Sequence, residues 1–332
     1  MTINQILKYC LESPANTNKA ILHQMLKELA TEGETLATIN GVKCKTLNEA
    51  IELASNNDVI ELKDNIVDES LEINKNLTLN LNGNTISNDK VALTITNNAT
   101  LTINDGKIVG RVIVGRANND GNIIINNSTL QCFQPAEAAI QTNGLCKNSS
   151  ITLNNVILDS YDDTLYLPGD GKYLIENCVI NGYTGIYAKS GTITIKNTKI
   201  NAYGSFAEPV PNGNGANSTG DAIILDSKQG YNGDIGLILE GKNEFTSKNG
   251  YAIHEAITDL GLSATVLLTI EDGAYIGQKE ALKTSQLFDD SIESGKTICE
   301  ISGGIYSSEI KEKYLADNVS CIKYTGGKYI VK

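Results

Sequence analysis

A short alternating motif that recurs about every 22 residues constrains this chain more than any other feature. Its clearest copies are 79–86 (LNLNGNTI), 101–108 (LTINDGKI), 123–130 (IIINNSTL), 151–158 (ITLNNVIL), 173–180 (YLIENCVI) and 193–200 (ITIKNTKI), whose starts lie 22, 22, 28, 22 and 20 residues apart. Weaker copies begin at Val59, Leu237, Leu268, Cys299 and Ile322. Self-similarity at such a period is typical of a fold built from stacked repeats.

Each copy places apolar residues at alternate positions and then a polar pair rich in Asn, Asp and Gly. This alternation favours a short strand, because Asn, Thr, Gly and β-branched residues disfavour a helix. Leucine-rich repeats have a similar length, but their leucine-dense consensus is absent. The period therefore predicts an all-β parallel β-helix of about 11–12 turns, roughly 55 Å long at the spacing of about 4.8 Å between strands.

The asparagines support this prediction because they recur at one position of the repeat. Asp105 aligns with Asn127, Asn155, Asn177, Asn197 and Asp272, and the preceding position holds Asn82, Asn104, Asn126 and Asn154. Asn tolerates the left-handed backbone conformation of sharp bends, and stacked Asn side chains hydrogen-bond from turn to turn. AT-rich coding bias is the competing explanation. Bias alone does not account for the distribution, since residues 250–317 contain no Asn.

Three segments are expected. Residues 1–33 form a helical hairpin, residues 34–57 a linker and capping helix opened by the capping box Thr46–Glu49, and residues 58–332 the β-helix, with a loop insertion at about 201–220 that leaves the rod. The hairpin is too small to bury its apolar faces alone, so it is expected to attach to a partner. Its candidate attachment residues are Ile3, Ile6, Leu7, Ile21, Leu22, Met25, Leu26 and Leu29.

The charge and the cysteine content of the chain argue against several kinds of partner and site. The chain has 27 basic and 39 acidic residues, a net charge of −12, and no basic cluster, which argues against nucleic acid or an anionic membrane as a partner. Seven widely spaced cysteines without a CxxC pair predict buried free thiols rather than disulfides or a metal site. No cofactor is expected. The opening segment lacks a secretion signal, which predicts a protein made in the cytosol.

The segment TLNEAIELASNNDVIELKDN followed by LEINKNLTLNLNGNTIS resembles the start of the pectin-lyase-like right-handed parallel β-helix proteins. The resemblance covers about residues 37–332, and the ending ISGGIYSSEIKEKYLADNVSCIKYTGGKYIVK is similar to the final turns of such surface proteins. The opening ILKYCLESPANTNKAILHQMLKEL is similar to short helical segments that begin phage fibre and decoration proteins. The resemblance implies a right-handed β-helix of the tailspike-like type, carried on a virion by its N-terminal segment.

Members of this family that cleave polysaccharides imply a set of acidic residues with basic or histidine companions. The adjacent pair Asp162 and Asp163 is the candidate here, and carboxylates on neighbouring turns could lie at the separation that glycoside hydrolysis needs. The companions are missing, because the chain has only two histidines, His23 and His254, and no NTDG-like or GHG-like motif. A non-enzymatic role is therefore expected.

Carbohydrate binding is better supported. The candidate residues are Tyr161, Asp162, Asp163, Tyr166, Tyr183, Tyr187 and Tyr203. Tyrosine offers an apolar face with a polar tip, which suits stacking on sugars, although the same residues could fill a core that lacks Trp.

These observations lead to one expected function and two alternatives. The expected function is a non-enzymatic structural protein of a bacteriophage virion, a decoration or fibre protein of head or tail that is assembled in the host cytoplasm. Residues 1–33 would contact other virion proteins, and the β-helix would contact host cell-wall glycan. A homotrimer and a docked monomer both remain open. The alternatives are a polysaccharide-degrading tailspike-like enzyme and a bacterial surface adhesin.

Overall fold

The computed structural model describes residues 35–209, 217–226, 234–257 and 265–332. These residues are mostly β, and their strands belong to one long sheet in which most neighbours are parallel, an arrangement compatible with a β-helix. The predicted hairpin of residues 1–33, with all eight of its candidate attachment residues, lies outside the described residues.

Two α-helices, two 3₁₀ turns and 29 strands are present in those ranges. The helices are α1 (Leu47–Leu53) and α2 (Gln286–Glu293), and the 3₁₀ turns span Glu312–Tyr314 and Thr325–Gly327. The strands are β1 (Ala37–Ile39), β2 (Val42–Cys44), β3 (Asp58–Leu62), β4 (Ile66–Val67), β5 (Leu71–Ile73), β6 (Leu77–Asn80), β7 (Thr85–Ile95), β8 (Thr100–Asn104), β9 (Lys107–Val114), β10 (Asn122–Asn126), β11 (Thr129–Cys132), β12 (Ile140–Thr142), β13 (Ser150–Asn154), β14 (Ile157–Ser160), β15 (Asp163–Leu167), β16 (Lys172–Glu176), β17 (Val179–Gly182), β18 (Thr184–Ala188), β19 (Gly191–Lys196), β20 (Lys199–Ala202), β21 (Ile223–Leu225), β22 (Ile235–Ser247), β23 (Ile253–Glu255), β24 (Val266–Gly277), β25 (Leu282–Lys283), β26 (Thr297–Ile301), β27 (Gly304–Tyr306), β28 (Cys321–Lys323) and β29 (Tyr329–Val331).

The parallel pairs form three stacks, and the chain visits each stack in turn; we call one such passage a coil. The first stack holds β3, β6, β8, β10, β13, β16, β19, β22, β24 and β26 in that order. The second holds β4, β7, β9, β11, β14, β17, β20, β22, β24 and β27. The third holds β5, β7, β9, β12, β15, β18, β21, β23 and β25.

Alternate side chains of the three stacks point inward and form one core. In the first stack Ile103, Ile125 and Leu153 are paired across successive coils, and each is fully buried. Near the C-terminal end the inward column of the second stack becomes aromatic, with Phe245, Tyr275 and Tyr306 buried on consecutive coils. Tyr173 also points inward and donates its hydroxyl to the Gly169 carbonyl oxygen at 2.7 Å, as its alignment with inward positions predicts.

The asparagine bends are confirmed. Asp105, Asn127, Asn155, Asn177 and Asn197 all have positive φ, between 47° and 57°. Short polar side chains tolerate this conformation, which β-branched residues resist. The alignment placed Asp272 at the same position, but Asp272 does not have a positive φ. On that coil the next residue, Gly273, has a positive φ of 128°.

Asparagine ladders join successive coils. Asn155 donates to Asn127 at 2.9 Å, and Asn127 donates to Asp105 at 3.1 Å. One position earlier a second ladder runs from Asn126 through Asn104 and Asn80 to Glu61. A third, on the second stack, runs from Asn201 through Asn181 to Asp159. The side-chain hydrogen bonds thus run from coil to coil, as the backbone hydrogen bonds of the parallel strands do. They join equivalent positions and so favour this register of the coils.

Two copies of the motif are shifted relative to the alignment. Leu77, not Leu79, pairs with Leu101, so Asn80 and not Asn82 precedes Asn104 in the ladder. An alternating strand can be shifted by two residues without exposing its apolar face, so the sequence pattern left this register open. At the first copy, Val59 is exposed and Ile60 is buried, a shift of one residue.

Antiparallel pairs cover the N-terminal end of the stacks. β1 and β2 form a hairpin, and β1 pairs antiparallel with β3. Helix α1 follows, and its capping box is confirmed because the Thr46 hydroxyl accepts from the Glu49 amide at 3.1 Å while the Glu49 carboxylate accepts from the Thr46 amide at 3.3 Å. The hairpin of β1 and β2 was not predicted.

The C-terminal end differs from the sequence expectation. The copy that begins at Ile322 forms the antiparallel pair β28–β29, and β29 also pairs antiparallel with β27. Gly326 and Gly327 have φ of 69° and 76°, which allows the chain to reverse there instead of continuing as another coil. Helix α2, capped by Ser285, was also not predicted.

The described parts of the insertion contact residues of the third stack and residues next to it, and residues 210–216 of the insertion lie outside the described residues. Phe206 lies edge-on to Tyr251, with ring centroids 5.5 Å apart, and the Thr219 amide donates to the Thr184 hydroxyl at 2.8 Å. The six cysteines of the described ranges are free, and four of them, Cys44, Cys132, Cys146 and Cys178, are buried as expected.

Candidate functional site

Four aromatic side chains follow the same strand position on four consecutive coils. Phe133, Tyr161, Tyr183 and Tyr203 come directly after β11, β14, β17 and β20, where the second stack bends toward the third. The preceding residues are in register, since Cys132 pairs with Ser160 and Gly182 pairs with Ala202, while Asp159 pairs with Asn181. We call these four side chains the aromatic column.

Three side chains of the aromatic column are exposed, Tyr183 is half-buried, and the rings pack in two pairs. The exposed fractions are 44% for Phe133, 61% for Tyr161 and 44% for Tyr203. The rings of Phe133 and Tyr161 lie 4.7 Å apart, and those of Tyr183 and Tyr203 lie edge-on at 6.4 Å. A row of exposed aromatic rings is unusual on the surface of a soluble protein and is typical of a ligand-binding surface.

Backbone contacts hold the column in place. The Tyr203 hydroxyl donates to the Ser160 carbonyl oxygen, which ties one coil to an earlier one. A Cβ at Gly204 would lie 2.2 Å from the Tyr183 ring, so only glycine lets that ring pack against the backbone. The column is therefore a pre-formed platform on a rigid scaffold.

Beside the column lies a cavity of about 340 Å³ that contains three carboxylates. We call it the acidic cavity; it is lined by Ala136, Glu137, Ala138, Gln141, Asp162, Asp163, Tyr166, Asn217 and Ser218. Asp162 directly follows Tyr161 of the column, so the two features are contiguous along the chain. Ala136 has a φ of 60°, a strained conformation for alanine that is often stored at functional sites.

The two aspartates differ in their surroundings. Asp162 is half-buried, and it accepts hydrogen bonds from the Asp163 amide at 3.0 Å and from the Ser218 hydroxyl. Asp163 is only 7% exposed, and its Oδ1 has no hydrogen-bond partner among the described residues. Burial, and secondly the charge of Asp162, raise the pKa of Asp163 from 3.8 to about 7. Burial also raises the pKa of Asp162.

A single arginine contacts the rim of the acidic cavity. The Arg111 guanidinium lies 2.8 Å from the Glu137 carboxylate and donates to Gln141 Oε1 at 2.7 Å. This pairing neutralises Glu137 and leaves Asp162 and Asp163 without a basic residue among the side chains that line the cavity.

The predicted tyrosines divide into three groups. Tyr161, Tyr183 and Tyr203 belong to the aromatic column, and Tyr166 lines the acidic cavity. Tyr187 is 0% exposed and donates its hydroxyl to Asp226, so as a direct sugar contact its prediction is wrong in this structure. It lies on the outer face of β18, because its neighbours Ile186 and Ala188 point into the core, and it is covered there beside Tyr166, whose ring lies edge-on to it at 6.0 Å. Burial raises its pKa well above the usual range.

A buried histidine–aspartate pair lies farther along the third stack. His254 Nδ1 is 2.7 Å from the Asp221 carboxylate, and the other Asp221 oxygen accepts from the Tyr251 amide at 2.7 Å. The sequence places these residues 33 positions apart and gives no sign of their contact. His254 and Asp221 do not line the acidic cavity, so the structure does not supply the Asp pair with a histidine companion there.

The sequence pattern did not predict Phe133 or the polar residues Arg111, Glu137, Gln141 and Ser218 as part of the site. Phe133 could have been found, because it lies ten residues after the repeat start Ile123, as Tyr161, Tyr183 and Tyr203 lie ten after Ile151, Tyr173 and Ile193. The polar residues left no such signal, since they approach the cavity from other coils and from the insertion.

Comparison of the chain with protein-family models, with curated proteins and with solved structures found no match. Among the described residues, no helix is both long and apolar enough to cross a membrane.

Proposed function

We propose that this chain is a right-handed parallel β-helix of a bacteriophage virion, without enzymatic activity, and that its aromatic column binds host-surface carbohydrate. One observation carries the binding function: four aromatic side chains lie in register on consecutive coils. A polymer of repeating units that lies along the coils meets an aromatic ring at each step, and the tyrosines among them offer an apolar face with a polar hydroxyl at the edge.

Neighbouring polar groups complete the platform. The ladder of Asn201, Asn181 and Asp159 runs alongside the column on the same coils. Amide and carboxylate groups at regular spacing suit the hydroxyl groups of a sugar chain. Because the scaffold is rigid, binding does not require a loop to be ordered first, which favours affinity.

Replacing Tyr161 with alanine tests this function. Aromatic residues at the centre of an interface commonly contribute more than 1 kcal/mol each, so the variant is expected to bind its glycan about tenfold more weakly. A glycan array followed by calorimetry would measure the change. Tyr324→Ala removes another exposed tyrosine, on the C-terminal hairpin, and should leave binding unchanged. Equal binding by the Tyr161 variant and the intact chain would contradict the proposal.

The virion location is supported by the sequence of residues 1–33 alone, which lies outside the described residues. A chain lacking residues 1–33 is expected to keep the β-helix and its glycan binding, while purified particles no longer carry it. Immunoblots of particles and of the free chain separate these effects. Unchanged incorporation of the shortened chain would rule out attachment through this segment.

A further inference from the structure

Strand β28 leaves an open sheet edge at the C-terminal end. It pairs with β29 through Cys321, Ile322 and Lys323, and no described strand lies on its other side. Ser320 and Lys332 exchange both of their backbone hydrogen bonds, at 3.0 and 3.2 Å. Mutually bonded pairs alternate along an antiparallel ladder, so Ile322 is the next residue bonded to β29. The N–H and C=O groups of Cys321 and Lys323 therefore point to the open side.

A row of isoleucines crosses one face of the hairpin β28–β29. Ile305, Ile330 and Ile322 are paired across β27, β29 and β28, so they lie side by side on the same face. Ile322, on the edge strand, is 42% exposed, and the other two are half-buried. An open edge with an exposed apolar residue favours the addition of a strand that brings an apolar side chain beside it.

Lysines distinguish this hairpin from the rest of the acidic chain. Residues 318–332 contain three lysines and no acidic residue, whereas the whole chain has a net charge of −12. The three are Lys323, Lys328 and Lys332. All are exposed, and none of them forms an ion pair with a described residue. Lys311, earlier in the chain, is by contrast paired with Asp289 at 3.0 Å. The hairpin thus presents uncompensated positive charge around its open edge.

We propose that β28 is a docking edge for an acidic, extended segment of another protein, which adds to the sheet as a further strand. The segment exchanges hydrogen bonds with the outward backbone groups of Cys321 and Lys323 and places an apolar side chain beside Ile322. Its carboxylates are attracted by the three lysines, and this charge complementarity selects the partner. The inference is independent of the aromatic column and of residues 1–33.

Two other occupants fit the edge less well. A second copy of this chain would bring its own three lysines to the same edge, and a lysine on a short edge strand is a common protection against such pairing. A nucleic acid would attract the lysines through its phosphates, but it offers no alternating N–H and C=O groups to the backbone of the edge.

The experiment titrates the full chain against fluorescently labelled peptides of equal length at pH 7 and follows their anisotropy. One peptide alternates Glu and Val, one alternates Lys and Val, and one alternates Glu and Pro. The Glu–Pro peptide carries the same charge as the first but lacks half of the N–H groups that a strand donates. The Glu–Val peptide is expected to bind about tenfold more tightly than either of the others. Its binding should also slow amide hydrogen exchange at Cys321 and Lys323.

Substitutions at Lys323 separate the backbone contribution from the charge. Lys323→Gln removes only the charge and should weaken binding of the Glu–Val peptide severalfold. Lys323→Pro also removes an outward N–H, while the hydrogen bonds to β29 remain, and should weaken binding about tenfold. Lys323→Arg and Lys90→Gln, the latter at an exposed lysine of β7, should change binding little. Thermal unfolding checks that each variant is folded.

Four outcomes would overturn the inference. Equal binding of the Glu–Val and Glu–Pro peptides would leave only an attraction for negative charge. Tighter binding of a DNA oligonucleotide than of the Glu–Val peptide would assign the lysines to a nucleic acid. A dimer of the chain in analytical ultracentrifugation that Lys323→Pro abolishes would assign the edge to a second copy. If no peptide binds, or if the Lys323→Pro variant binds as the intact chain does, β28 does not receive a strand.

Discussion

Asp163→Asn is expected to stabilise the folded protein at pH 8, by up to about 4 kcal/mol. Folding raises the pKa of this carboxyl from 3.8 to about 7. Each pKa unit corresponds to about 1.4 kcal/mol. The folded state therefore binds the proton more tightly than the unfolded state, and the stability of the native chain falls as the pH rises from about 4 to about 7.

Asparagine does not ionise, so the variant should lose this pH dependence. Its free energy of unfolding should be close to that of the native chain at about pH 2–3, below the pKa of Asp163 in both states, and should exceed it increasingly up to pH 8. Urea unfolding at several pH values measures this difference. Asp89→Asn is the matched control, with no change in pH dependence expected. A variant that is no more stable at pH 8 would show that the Asp163 carboxylate is well compensated in the folded protein.

The second large effect concerns the core. Ile125→Ala is expected to lower the free energy of unfolding by about 2–5 kcal/mol, the range for deleting a fully buried aliphatic side chain. Ile125 is fully buried between Ile103 of one neighbouring coil and Leu153 of the other, so the lost volume leaves a cavity between three coils.

The neighbour on the same strand supplies the control. Ile124 points to the other face of β10 and is only half-buried, so Ile124→Ala removes the same atoms at a much smaller cost. Chemical unfolding of both variants measures the contrast. Equal losses would mean that the alternation of inward and outward residues does not hold at this coil.

The sequence predicted the mostly β, mostly parallel architecture because alternation and spacing are local properties of the chain. Asn127 and Asn155 were assigned to bends correctly for the same reason, since their backbone preference does not depend on distant contacts. The register of Leu77 against Leu101 could not be predicted, because a two-residue shift preserves the buried face. The segment of β28 and β29 matches the sequence motif, so it was predicted to be another coil. The chain reverses at Gly326 and Gly327 instead, and the two strands pair antiparallel.

The candidate site was predicted only in part. Tyr161, Asp162 and Asp163 were identified because they lie together in the sequence. The burial of Asp163 Oδ1 without a hydrogen-bond partner among the described residues depends on packing among coils, which no local pattern encodes. The burial of Tyr187 has a similar origin, because it depends on the approach of Tyr166 and Asp226 from other coils.

The antiparallel strands at the two ends of the sheet affect how copies of the chain can associate. A stack of parallel strands exposes unpaired amide and carbonyl groups on its first and last coil, and such edges invite end-to-end growth into fibres. Here β1 occupies the edge of β3, and β29 occupies the edge of β27. Neighbouring copies can therefore remain separate units, each with its own aromatic column, and under the function proposed above the weak contacts of several copies to one polymeric glycan would add up through avidity.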